Sequence, residues 1–135
     1  MSTLQAVDTN FALALIDPRP DKREKAFETI EPNVEVVLPC IVYAEVWYGL
    51  ALGRPERTAA KRKLFEDNIM PLRILWLDQI TLQRFHDLSW SLARQGTPIG
   101  SNDIWIATLC LQHDATLITS DSDFKNVPGL DVRNW

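Results

Sequence analysis

Leu4-Gln5-Ala6-Val7-Asp8-Thr9-Asn10-Phe11 decides the fold: a short, mostly apolar run stops on an acid and passes at once into a helical pattern. Leu4 to Val7 reads as a strand, and Thr9 or Asn10 is placed to cap a helix through Phe11 to Ile16. The same alternation continues along the chain. Pro18 and Pro20 break the helix, and Asp21 to Ile30 resumes one, with Ala26, Phe27 and Ile30 at helical spacing. Val34 to Leu38 is β-branched and predicts a second strand, closed by Pro39. Cys40 to Leu52 predicts a helix stopped by Gly53 and Pro55, and Glu56 to Ile69 an amphipathic one with a basic outer side. Leu72 to Leu77 reads as a third strand, and Asp78 caps a helix to about Gln95. Beyond a loop over 96–100, Asn102 to His113 is helical, Ala115 to Thr119 is a fourth strand and Val132 to Trp135 a short edge strand. Strands alternating with helices predict an α/β fold: one three-layer α/β/α domain over 1–135, around a mainly parallel sheet of four to five strands.

With 135 residues, 46% of them hydrophobic, the chain is long enough for a core without disulfides. Cys40 and Cys110 fall in apolar stretches and read as reduced core residues of a cytoplasmic protein. His86 and His113 show no zinc-ligand spacing with them. No apolar run is long enough to span a membrane, and the N-terminus lacks the pattern of a signal peptide. The net charge of -4 argues weakly against a nucleic-acid binder, because five acids assigned to a metal would leave the rest about neutral. Basic residues also cluster, at Lys22, Arg23 and Lys25 and at Arg54, Arg57, Lys61, Arg62 and Lys63. Such clusters meet phosphates in some proteins and are solvated helix faces in most.

The acids carry the chemistry. Glu45 is the only charged side chain between Glu35 and Arg54, and its helical neighbours Ile41, Val42, Tyr48 and Gly49 cannot neutralise it. A solvent-facing Glu is the plain alternative, although the polar face of an amphipathic helix normally holds more than one polar residue. Asp103 sits in the first turn of its helix, where the dipole alone stabilises an acid by ~0.3–1 kcal/mol. Asp8 is explicable as a turn acid, and Asp121 and Asp123 as an Asx-turn or cap. The combination is the signal. Asp8 ends the first strand and Asp121 follows the fourth, so neighbouring strands would bring them to the same end of the sheet. Carboxylates gathered there repel one another, and a divalent cation is the simplest relief.

These residues resemble the PIN-domain nucleases, most closely the VapC-type toxins of bacterial toxin–antitoxin pairs. The resemblance lies in Val7-Asp8-Thr9-Asn10; in Ala44-Glu45-Val46-Trp47-Tyr48-Gly49-Leu50; in Gly100-Ser101-Asn102-Asp103-Ile104-Trp105-Ile106-Ala107 with His113-Asp114-Ala115-Thr116-Leu117-Ile118-Thr119; and in Thr119-Ser120-Asp121-Ser122-Asp123-Phe124. The blocks occur in order and cover nearly the whole chain. Ser2, Thr3 and Gln5 make the first strand more polar than is usual in the family. The resemblance implies a PIN-like sheet with Asp8, Glu45 and Asp103 as core metal-binding acids, Asp121 as a fourth, Asp123 as an auxiliary acid, and Thr9, Asn10 and Ser120 as polar supports.

Mg2+ or Mn2+ suits such hard oxygen donors. The resemblance implies endonucleolytic hydrolysis of single-stranded or looped RNA, with water as nucleophile, leaving 3′-hydroxyl and 5′-phosphate ends. It also implies a homodimer and a small antitoxin that blocks the site, with DNA bound only through the antitoxin. Trp47, Tyr48 and Trp105 are candidates for those surfaces or for the core. Two other classes stay open: an inactive RNA-binding or scaffold protein on the same fold, and a phospho-receiver domain, which needs a late Lys that only Lys125 offers.

Overall fold

The computed structural model describes residues 2–135. In chain order the elements are β1 (Leu4–Val7), α1 (Thr9–Leu15), α2 (Pro20–Thr29), β2 (Glu35–Pro39), α3 (Cys40–Leu52), α4 (Pro55–Asn68), β3 (Arg73–Leu75), α5 (Gln79–Arg94), α6 (Ser101–Gln112), β4 (Ala115–Ile118) and β5 (Val132–Arg133). A 3-10 turn, Ser122–Asn126, lies between the last two strands. The five strands run in the order β3-β2-β1-β4-β5 and every pairing is parallel.

That order follows from the crossover rule. Stepping from β1 to β2 to β3 in one direction places α1 to α4 on one face; crossing back over β1 to β4 places α5 and α6 on the other. The observed packing agrees: α1 lies against α2 and α3, and α5 against α6. The strand order reverses between β1 and β4, which opens a crevice beyond their carboxyl ends. A receiver domain uses the order 2-1-3-4-5, so this topology removes that alternative.

The centre is mainly apolar. Ala6 and Val7 of β1, Val37 and Leu38 of β2 and Leu117 and Ile118 of β4 are inaccessible, and helix side chains such as Phe11, Phe65 and Leu109 cover them. Cys110 is buried and Cys40 half-buried, both free thiols; burial pushes Cys110 up to about 12, as expected of an inert core residue. Gln5, the polar residue of β1, is buried but satisfied, its Oε1 accepting the Glu31 N–H at 3.1 Å. Among the described residues no helix is long and apolar enough to cross a membrane.

Several boundaries differ from the sequence reading. Asp8 itself caps α1, its Oδ1 accepting the Phe11 N–H at 2.8 Å, so neither Thr9 nor Asn10 does. Pro20 and Pro55 are first-turn residues of α2 and α4 rather than breaks before them, because proline at N1 sacrifices no intrahelical bond. The third strand is three residues, not six: β2 ends at Pro39 opposite Leu75, leaving nothing for Trp76 and Leu77 to pair with. Trp105 stacks on Phe85 with ring centroids 3.7 Å apart, and Trp47 leans on Phe65 at 5.2 Å, while Tyr48 is largely exposed.

Asp78 ties the second helical layer together. Its Oδ1 accepts the Thr81 N–H at 2.9 Å in a reciprocal capping box, and the carboxylate also accepts from Gln112 Nε2 at 3.0 Å at the far end of α6. Asp78→Ala is expected to lower stability, through loss of the cap and of the α5–α6 tie. Urea unfolding checks this; an unchanged midpoint contradicts the role given to Asp78.

Candidate active site

Asp8 leaves the end of β1 and points into the crevice. It is buried, and both oxygens are engaged: Oδ1 by the Phe11 N–H, Oδ2 by Thr119 Oγ1 at 2.5 Å. Thr119, just past β4, also accepts the backbone N–H of Asp121 at 3.0 Å. One hydroxyl thus spans the β1–β4 boundary and positions two acids. Asp121 in turn caps the 3-10 turn, its Oδ1 accepting the Asp123 N–H at 2.9 Å.

Glu45 approaches from α3. The helix buries Val42, Val46 and Leu50 at four-residue spacing, which turns Glu45 to the rim. There its Oε1 accepts from Thr9 Oγ1 at 3.0 Å. Asp103 approaches from the first turn of α6 and is half-buried. An open groove of about 450 Å³, lined by Ile41, Ala44, Glu45, Tyr48 and Asn102, adjoins the acids.

The electrostatics show these acids sharing one field. Burial raises Asp8 above its ordinary value; hydrogen bonds from Thr119 and Phe11 oppose the shift, and the charge of Asp121 adds to it. Asp103 is pushed up to about 6, first by burial and then by Asp121, Glu45, Asp8 and Asp123. All four charges acting on Asp103 are negative. Structural ion-pair networks include cations; this cluster has none acting on its most perturbed member.

The sequence reading placed Asp8, Glu45, Asp103, Asp121 and Asp123 in one site, and the structure brings them within each other's influence. Among the described residues, however, no three His, Cys, Asp or Glu side chains already form a set that would hold a metal ion. Asp8 and Glu45 are each held by hydrogen bonds of their own. Asp123 is exposed. Of the supports, Thr9 bonds Glu45; Asn10 is exposed and lines a neighbouring cavity; Ser120 is exposed and its side chain makes no hydrogen bond among the described residues. Thr119 was missed. Its signal was a hydroxyl two residues before an acid, a spacing that suits a side-chain turn, hidden inside what read as a strand.

A PIN domain model matches residues 6–130, and the chain belongs to that family. Among its relatives, the VapC2 ribonuclease of Rickettsia felis is 29% identical over 131 residues, which is 96% of each chain. The VapC1 ribonuclease of Haemophilus influenzae is 29% identical over 132 residues, again 96% of each. Among solved structures, VapBC2 from Rickettsia felis bound to a promoter DNA fragment matches with a TM-score of 0.84 and 26% identity, over 98% of both chains.

Two outcomes follow from the geometry. Asp103 rises from its ordinary value of 3.8 to about 6 on folding, so between those pH values the native state holds a proton that the unfolded chain has lost. Stability therefore falls as pH rises through this window, and the penalty is full above about 6. Asp103→Asn is expected to stabilise the EDTA-treated protein by about 1 kcal/mol at pH 7, after allowance for solvent screening of a half-exposed group, with the gain gone at pH 4. Urea unfolding at the two pH values measures it; equal gains at both would contradict it. Thr119→Val, which keeps the shape and removes the hydroxyl, is expected to reduce nuclease activity by roughly 10–100-fold with the fold intact, the usual cost of losing an orienting partner. Unchanged rates would show that Asp8 and Asp121 need no such tie.

Proposed function

We propose that this protein is a divalent-metal-dependent endoribonuclease, the toxin of a toxin–antitoxin pair. The observation that carries the reading is the all-negative field at the β1–β4 switch point, with Asp103 pushed up to about 6 by burial and neighbouring acids. Family membership and the likeness to VapC ribonucleases support it.

Asp8, Glu45 and Asp103 hold the ion, with Asp121 as the fourth acid and Asp123 at the rim. The donor set is all oxygen, which fits Mg2+ or Mn2+, and the open spacing suits an ion that keeps several waters. A cation bound there would supply positive charge for the phosphodiester oxygens and would lower the pKa of water in the site. The protein does the rest by position. Thr119 holds Asp8 and Asp121 in fixed relation; Thr9 holds Glu45 at the rim; the N-terminus of α6 places its positive end beside Asp103, where substrate phosphate is also favoured. His86 and His113 take no part. A cognate antitoxin covers the site and carries any DNA binding; likeness to VapBC2, solved bound to a promoter DNA fragment, supports a partner of this kind. The protein acts in the cytoplasm, as a homodimer.

The test is RNA cleavage by purified protein with Mg2+, Mn2+ or EDTA. Cleavage with either ion and none in EDTA is expected. Asp8→Asn, Glu45→Gln and Asp103→Asn are each expected to lose at least about 100-fold, since metal charge supplies several kcal/mol of the barrier reduction. Cutting that persists in EDTA or in these variants, with contaminating nuclease excluded, overturns the reading; ion binding without cleavage would favour the inactive scaffold.

A further inference from the structure

Two basic stretches far apart in the chain meet on one cavity. Lys22 and Lys25 of α2 and Lys61 of α4 line a space of about 360 Å³, together with Arg19, Asn10 and Trp135. Of the other cations of those stretches, Arg54 and Arg57 do not line the cavity, and three are engaged structurally. Arg23 donates to the Asp17 carbonyl at 2.7 Å, Arg62 to the Leu50 carbonyl at the end of α3 at 2.8 Å, and Lys63 pairs with Asp67 at 3.1 Å. Among the described residues, Lys22, Lys25 and Lys61 make no ion pair. Asp17 is the one acid among the lining residues, and Arg19 already pairs with it at 2.7 Å. The Arg19 hydrogen bonds hold its carboxyl down at about 2, with Lys61 adding a smaller pull. In a chain of net charge -4, this is a concentrated positive surface.

Its place gives it meaning. Asn10, Leu13 and Ala14 carry the cavity along α1 to Asp17 just past its end, and Asn10 is one residue past Thr9, which holds Glu45. From Asn10 to the helix end at Leu15 the rise is about 7.5 Å, so the cavity starts beside Asp8, the cap of α1, and leads away from it. Three ammonium groups spread over two helices match a run of phosphates better than one small anion, and Trp135 adds an aromatic wall.

We propose that this cavity seats the RNA backbone on one side of the cut, with Lys22, Lys25 and Lys61 as positioning residues that hold phosphates while the acids act on the next one. The inference rests on the ribonuclease reading. Held phosphates fix the register of the strand on the acids and offset their repulsion of an anionic substrate.

The experiment separates the two claims by measuring binding apart from cleavage. Full-length protein carrying Asp103→Asn is titrated with a fluorescent single-stranded RNA across a salt series, then compared with the same protein also carrying Lys22→Gln, Lys25→Gln and Lys61→Gln. A control carries Arg57→Gln and Lys63→Gln instead. The triple change is expected to weaken binding roughly 10–50-fold near 0.15 M salt, and to flatten the salt slope by about 0.7 per lysine lost. The control should bind as the parent does. In the active protein the triple change should raise KM by a similar factor and leave kcat within about twofold. An unchanged affinity and slope, or an equal loss in the control, overturns the subsite. Cleavage by the wild type alongside triple-variant binding like the parent's defeats the subsite alone; no RNA binding by the parent together with no cleavage by the wild type defeats both claims.

Discussion

A single hydroxyl holds the crevice together. Thr119 Oγ1 donates to Asp8 at the end of β1 and accepts from the backbone of Asp121 beyond β4. Those two strands are neighbours only because the chain crosses back over β1 after completing the β2–β3 side. Remove the crossover and the acids separate; remove the hydroxyl and they lose their shared reference. The carboxylates of Glu45 and Asp103 then meet this fixed pair from helices on opposite faces of the sheet. The site depends on that junction rather than on any one acid.

The junction is a liability for folding. Burial and like charge raise both Asp8 and Asp103, and no cation offsets Asp103. A chain selected only for stability would place an amide or an apolar side chain there. Four negative charges maintained around Asp103 make sense if a fifth partner of opposite sign is part of the working molecule. The lysine-lined cavity beside α1 answers the complementary problem. RNA is an anion, and the acids alone would repel it; the positive surface next to them draws it in.

Much of this was legible in the residues. The alternation of strands and helices gave the parallel sheet, since each apolar β-branched run is followed by a capped helical pattern. Glu45 stood out because its helix holds no other charge, and α3 buries Val42, Val46 and Leu50 on the face beside it. Other features depend on contacts that no local pattern encodes. The third strand is short because of where its partner ends, not because of its own sequence. Thr119 read as one more strand residue, and its role appears only once β1 lies beside β4. Lys22 and Lys61 are far apart in sequence, so their shared cavity depends on how α2 and α4 flank α1. Ser120, which the motif favoured, faces solvent while its neighbour does the bonding.

The most direct test of the central claim needs no RNA. Protein stripped with EDTA is titrated with Mn2+ in a calorimeter at pH 7 and again at pH 5. If the acids form a cation site, Mn2+ binds at pH 7, binding weakens at pH 5 as Asp103 takes up its proton, and Glu45→Gln or Asp103→Asn weakens it at pH 7. No Mn2+ binding at pH 7, or binding unaltered by those substitutions, would contradict the account.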